Sequence, residues 1–269
     1  MTEQRVNDSV VQGNESRNAR DGLVSVIIPV YNSGAFIRET LDSVIGQTYK
    51  NMEIIVVDDS SSDDTVSIAS SYVNRDGINV KVMTNTYRKG AAGARNTGID
   101  AAEGGFIAFI DADDKWLPDK LSRQIDFMRD TDAAFSFTGY EFADEDCRGT
   151  GKVARVPERI SYRQALKNTT IFTSTVMLDI KQLAKEDIYF PYIASEDSAN
   201  WWKILKKTGV AHAIDEPLTL YRRSRKTLSS NKLVGIQRIW GLYMNEGLSV
   251  PYSLYCFVCF AFNAVKRRL

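Results

Sequence analysis

FIAFIDADDKWLP, residues 106–118, runs an apolar, strand-forming stretch into three carboxylates, Asp111, Asp113 and Asp114, and then into a Trp and a Pro. In an open α/β sheet ligands bind beyond the carboxyl ends of the strands, and these acids stand where such a strand would end. Hard divalent cations take carboxylate oxygens, keep several waters and bridge to substrate phosphates, so the stretch suits Mn²⁺ or Mg²⁺ held against a diphosphate. It equally suits a solvated acidic turn that caps the next helix through Asp114 or Asp119.

Upstream, residues 24–29 and 54–57 are short β-branched runs of the kind that lie centrally in a parallel sheet covered on both faces. Between them Ile37, Leu41 and Val44 recur at helical spacing. Helices over 65–72 and 90–102 and a strand over 80–83 continue the alternation up to the strand at 106–110. Pro118 then opens a helix with Leu121, Ile125 and Met128 on one face, and 134–138 returns as a strand. The expected fold class is α/β, a doubly wound, mostly parallel sheet with helices on both faces. After Phe142 the pattern weakens into loops and helices, with residues 144–151 as the clearest turn-rich break.

The composition, 43% hydrophobic and 25% charged over 269 residues, is that of an ordinary globular protein. Lys plus Arg and Asp plus Glu both number 34, so no overall field points to nucleic acid. Cys147, Cys256 and Cys259 form no metal-ligand set. An unpaired number fits a reducing compartment, and the CxxC at 256–259 reads as helical core spacing. Residues 1–22 are polar and contain no apolar run, which excludes a secretory signal there. Residues 248–265 are apolar and precede Lys266, Arg267 and Arg268, but Ser249, Pro251, Ser253 and Asn263 interrupt them. A helix lying on a membrane surface fits this better than one spanning it, and packing on the protein's own core or another subunit is the alternative.

PVYN, residues 29–32, stands where a dinucleotide-dependent dehydrogenase would carry GxGxxG, which argues against that activity. Asp58 and Asp59 end the second strand. A carboxylate there can accept from a nucleobase N–H or ribose hydroxyls, with Tyr31 against the base, or the pair can simply start a helix. GAAGARNTG, residues 90–98, places small residues where backbone must come close to a neighbour, and Arg95 among them is a natural partner for phosphate.

In order and spacing, VSVIIPVYN, SVIGQTY, EIIVVDDSSSDDT, GAAGARNTG and FIDADD resemble the family 2 glycosyltransferases of the GT-A fold, over roughly residues 23–232. The resemblance implies inverting transfer from a nucleotide sugar, usually a UDP sugar. It places the base and ribose near Pro29, Tyr31, Asn32, Glu39, Asp58 and Arg95, gives Asp111 to the nucleotide and Asp113 to Mn²⁺ or Mg²⁺, and sets Asp114 near the donor sugar or the acceptor. SEDSANWWKIL, residues 195–205, resembles the family's ED motif, which implies Asp197 as general base with Glu196 and Trp201 beside it. YRRSRKTLSSNK, residues 221–232, resembles the segment that closes on the diphosphate, with Arg222 and Ser229 as candidate contacts. That segment holds no His, and His212 reads as structural. Thr173, Ser174 and Thr175 sit where relatives place part of the acceptor pocket.

The apolar, basic C-terminus is similar to that of bacterial enzymes building O-antigen, capsule or lipooligosaccharide chains. This implies a glycan or polyprenyl-diphosphate-linked acceptor and a cytoplasmic enzyme on the inner face of the plasma membrane. The expected division is a polar tail (1–22), a nucleotide-sugar half (23–142), an acceptor-side half of the same domain (143–232) and a helical, membrane-associating segment (233–269). A glycoside hydrolase would need two carboxylates but no nucleotide crevice. A non-catalytic nucleotide-sugar-binding or assembly protein would keep the crevice without the base.

Overall fold

Four parallel strands form the half of the sheet nearest the N-terminus. The computed structural model describes residues 22–73, 77–168, 170–223 and 232–266. In it β1 (Val24–Val30) lies between β2 (Met52–Asp58) and β4 (Phe106–Phe109), with β3 (Asn79–Thr84) outside β2. Alternate residues of each strand serve opposite faces. Val26 and Ile28 of β1 join Ile54 and Val56 of β2 in one core, against Ile37, Leu41 and Val44 of α1 (Ile37–Ile45). Ile27, Ile55, Val57 and Phe109 enter a second core on the other face. Burial on both sides is why these strands read as unbroken β-branched runs. α2 (Thr65–Ser70) and α3 (Ala91–Ala101) complete the alternation. Gly98 lets α3 lie on β1, since a Cβ there would come 2.5 Å from Ile27 Cγ2.

Because β1 is followed in space by β2 on one side and β4 on the other, the chain reverses its winding direction there and leaves a crevice at the strands' carboxyl ends. Past β4 the sheet becomes mixed. β5 (Lys115–Trp116), β6 (Phe135–Ala143), β7 (Gly149–Ala154), β8 (Arg159–Ser161), β9 (Met177–Asp179) and β10 (Val210–Arg222) extend it in the order β4-β9-β6-β10-β5, with β7 on β6 and β8 on β10. The second half is therefore richer in strand than the loops and helices expected of it. β10 hides in the sequence because it is half-buried and carries Pro217, which sits at a register irregularity where a missing N–H is tolerated.

α4 (Lys120–Thr131), the short α5 (Tyr162–Ala165) and α6 (Lys185–Ile188), and α7 (Glu196–Thr208) flank this half. α4 lays Leu121, Ile125 and Met128 on the first core, as its spacing predicts. α8 (Lys232–Asn245) and α9 (Val250–Lys266) close the chain. They dock through Ile239, Leu242, Tyr243 and Cys256, with Tyr243 stacked on Trp202 of α7 at 5.7 Å. Cys256 thus occupies the core position that its spacing suggests, and all three cysteines are free thiols. The opposite face of α9 leaves Val250, Leu254, Val258 and Phe262 more than half exposed. Among the described residues no helix is long and apolar enough to cross a membrane.

Candidate active site

A cavity of about 450 Å³ opens at the carboxyl ends of β1 and β4 and is lined by Pro29, Tyr31, Asn32, Arg95, Asp111 and Asp113, six of the residues singled out from the sequence. Its floor depends on how the strand ends turn. Asn32 takes a left-handed backbone, φ 47°, a conformation Asn tolerates. Its Oδ1 accepts from the Ser62 amide at 2.8 Å, tying the β1 loop to the β2 loop. Asp59 Oδ1 accepts from Asn85 Nδ2 and Oδ2 from the Gly90 amide, at 2.7 and 2.8 Å, which fixes the start of α3. Tyr31 remains half exposed, with the Lys89 ammonium 4.9 Å from its ring centre.

The acidic stretch after β4 is held from three sides. The Asp111 amide donates to Ser174 Oγ at 3.0 Å, and that hydroxyl donates to Asp114. The Arg222 amide donates to the other Asp114 oxygen at 3.1 Å. Thr40 Oγ1 lies 2.8 Å from the carbonyl oxygens of both Ala112 and Asp114. Burial, with Asp111 and Asp113 close by, pushes Asp114 well above the usual carboxylate range. Asp114 is therefore a bracing group inside the turn.

Arg95 brings the second half to this place. It is buried, donates from Nη2 to Asp111 at 2.8 Å and from Nη1 to Glu196 at 3.1 Å, and stands 5.1 Å from the Phe190 ring centre. Next to it, Asn96 exchanges two hydrogen bonds with the Phe190 backbone, at 3.0 and 2.7 Å, and so pins the segment leading into α7. Asp197 follows Glu196 in the first turn of α7, after Ser195 with φ 57°. Burial, and then the Glu196 charge, raise its carboxyl above the ordinary value, while Arg95 and the Ser198 amide oppose the rise. Asp113 is pushed up to about 6 by burial and by the Asp111 charge, partly offset by Arg222.

Among the described residues no group of three or more His, Cys, Asp and Glu converges into a metal cage. Asp111 and Asp113 offer instead an acidic pair on the cavity wall, where a cation would offset the burial and the Asp111 charge that raise Asp113. That donor set fits Mn²⁺ or Mg²⁺ completed by water and phosphate oxygens.

Several residues expected at the site are placed otherwise. Asp58 turns back on its own loop, accepting from the Ser60 and Ser61 amides at 3.2 and 3.1 Å, and Asp59 lines the cavity in its stead. Period-two alternation gives only one of two adjacent strand-end acids to the crevice, which is the signal that separates them. Glu39 pairs with Arg222 at 2.9 Å. Arg222 is buried and also donates to the carbonyls of Asp113 and Glu145, so it braces the acidic turn. Trp201 is buried among Phe109, Phe135 and Phe190 and belongs to the core. Ser174, expected in the acceptor pocket, is fully buried under the acidic stretch. Ser229 lies outside the described residues.

Comparison with known proteins gives a consistent result. The model of glycosyl transferase family 2 matches residues 25–186. TuaG of Bacillus subtilis (strain 168), named for teichuronic acid biosynthesis, is 41% identical over 249 residues, which are 92% of this chain and 98% of that protein. WfaP of Escherichia coli, named UDP-Glc:alpha-D-GlcNAc-diphosphoundecaprenol beta-1,3-glucosyltransferase, is 39% identical over 245 residues, 91% of this chain and 95% of that protein. The crystal structure of S. aureus TarS 1–349 with UDP-GlcNAc shares the fold, with TM-score 0.65 at 22% identity over 88% of this chain and 71% of that one. So does the mannosyltransferase PcManGT of Pyrobaculum calidifontis with GDP-Man and Mn²⁺, at TM-score 0.63 and 21% identity over 91% and 70%.

The raised Asp113 sets a stability test. A carboxyl whose folded value lies near 6 and whose ordinary value is 3.8 favours folding below about 4, and that contribution is lost as pH rises through 6. Asp113→Asn is expected to stabilise the metal-free protein at pH 7 by about 1–3 kcal/mol and to make little difference at pH 4. Urea unfolding at the two pH values checks this, and equal stabilities at pH 7 would contradict the cost of holding Asp113 charged in its buried place beside Asp111.

Proposed function

The chain belongs to glycosyl transferase family 2 and has the GT-A fold, and we propose that it moves a sugar from a UDP-linked donor to a hydroxyl of a lipid-diphosphate-linked glycan, with inversion, in bacterial surface polysaccharide synthesis. One observation carries this reading. Arg95, on the wall of the cavity, pairs at once with Asp111, at the end of β4 on the same wall, and with Glu196, the residue before Asp197 at the start of α7.

Tyr31 presents a ring face to the base, and the carboxylate and amide groups of the two neighbouring loops meet its polar edge and the ribose. Asp197 is the general base. It takes the proton of the acceptor hydroxyl as that oxygen bonds to the anomeric carbon, while the bond from that carbon to the diphosphate oxygen breaks on the opposite face. Its raised basicity suits proton capture and moves the acid limb of the activity profile toward neutral pH. A divalent cation held by Asp113, with Asp111 beside it, supplies neutralisation of the charge on the departing diphosphate when bound.

The acceptor class is supported by the E. coli relative, whose name specifies a diphosphoundecaprenol-linked sugar and a UDP sugar. A membrane-borne acceptor also suits the exposed stripe of Val250, Leu254, Val258 and Phe262, which would rest at the lipid surface.

Isothermal titration of UDP is expected to show binding that tightens when Mn²⁺ is added, and no binding in its presence would remove the UDP assignment. Asp197→Asn should keep UDP affinity within roughly threefold while transfer falls about a hundredfold or more; unchanged transfer would take Asp197 out of the mechanism. In flotation with anionic vesicles the wild type should rise with the lipid and a Leu254→Glu/Phe262→Glu variant should not. Equal flotation would reject the membrane face.

A further inference from the structure

Two more cavities continue the donor cavity away from β1. The first, about 350 Å³, shares Ala91 with it and is bounded by Arg88, Tyr192 and Glu196. The second, about 410 Å³, shares Ile193 and Ala194 with the first and runs along α8 past Arg238, Gly241 and Leu242. Together they form a groove that starts at Glu196, the residue before Asp197, and ends on α8, the helix against which α9 packs.

The wall changes character along its length. The first cavity carries Glu196, the residue before Asp197, as its one carboxylate. The same cavity also carries the Arg88 guanidinium, 5.8 Å from the Tyr192 ring centre, and Lys89, whose ammonium stands 4.9 Å from the Tyr31 ring centre. Beyond Ile193 and Ala194 it is largely apolar, with Arg238 at its side. Gly241 has no atom within 4 Å of where a Cβ would stand, so a glycine there leaves the groove open.

A reacting hydroxyl, then an anion, then a hydrocarbon is the sequence of groups such a wall would accept. We infer that this groove is the acceptor site for a sugar diphosphate on a long isoprenoid chain, with Arg88 and Arg238 flanking the diphosphate and the Ile193–Leu242 stretch receiving the first isoprene units. The assignment rests on the glycosyl transfer reading above and deepens it by naming the acceptor's path. Arg is suited to the role because its planar fork pairs with phosphate oxygens.

The test measures transfer from a labelled UDP sugar to two detergent-solubilised acceptors, the same sugar diphosphate on a long polyprenyl chain and on a short alkyl chain. The wild type is expected to prefer the long chain. In Gly241→Phe the ratio of kcat/KM for long over short chain should fall about tenfold or more. Arg88→Ala and Arg238→Ala should raise KM for both acceptors and leave UDP affinity in place. A chain-length ratio unchanged in Gly241→Phe, with the wild type active on both acceptors, overturns the groove and spares the glycosyl transfer reading. A wild type that binds UDP but transfers to neither acceptor overturns the lipid-linked acceptor and the groove with it. Photolabelling of the wild type with a diazirine-bearing polyprenyl diphosphate gives an answer independent of any variant's folding. Labels on 192–194 and 237–245 are expected, and labels confined elsewhere overturn the assignment.

Discussion

The guanidinium of Arg95 is buried between two carboxylates that come from opposite halves of the chain, Asp111 after β4 and Glu196 at the head of α7. A buried cation is costly unless paired, and removing one partner of such a pair typically costs about 3–5 kcal/mol. Arg95 Nε, with no partner among the described residues, leaves the two Nη bonds to carry that compensation. The halves of the site cannot drift apart without stranding this charge, so an interaction of the core also sets the distance between Asp111 and the Glu196-Asp197 pair. Asn96 adds a second tie one residue along by gripping the backbone of Phe190.

Environment then gives similar acids different tasks. Asp114, fully buried and bonded to Ser174 and the Arg222 amide, holds the turn. Asp113, at the cavity wall, is raised by burial and then by the Asp111 charge. Asp197, partly buried where Asp114 is fully so, has Glu196 and Arg95 near it at a helix start, so its charged form is opposed by one neighbour and favoured by the other. The divergence of environment within one short acidic stretch is the kind of separation that assigns roles to paired carboxylates.

Much of the first half was legible before any coordinates. Residues 24–30, 52–58 and 106–109 are strands buried on both faces, and such strands declare themselves by continuous β-branched composition. The acids after β4 and the small residues around Arg95 were legible because strand ends and close backbone approach restrict residue type. Orientation was not. Asp58 and Asp59, Asp114, Arg222 and Trp201 all lie in the right segments, yet which of them meets the cavity depends on partners far along the chain, Ser174 for Asp114 and Glu39 for Arg222. β10 escaped because its half-burial and Pro217 blur the period-two pattern.

If Asp197 and the departing diphosphate lie on opposite faces of the anomeric carbon, transfer is a single displacement and the product's configuration must be the inverse of the donor's. Proton NMR of the product formed from an α-linked UDP sugar reads this directly through the anomeric coupling constant. A β-linked product is predicted. An α-linked product would require a second displacement on the enzyme and would contradict the assignment of Asp197 as the base.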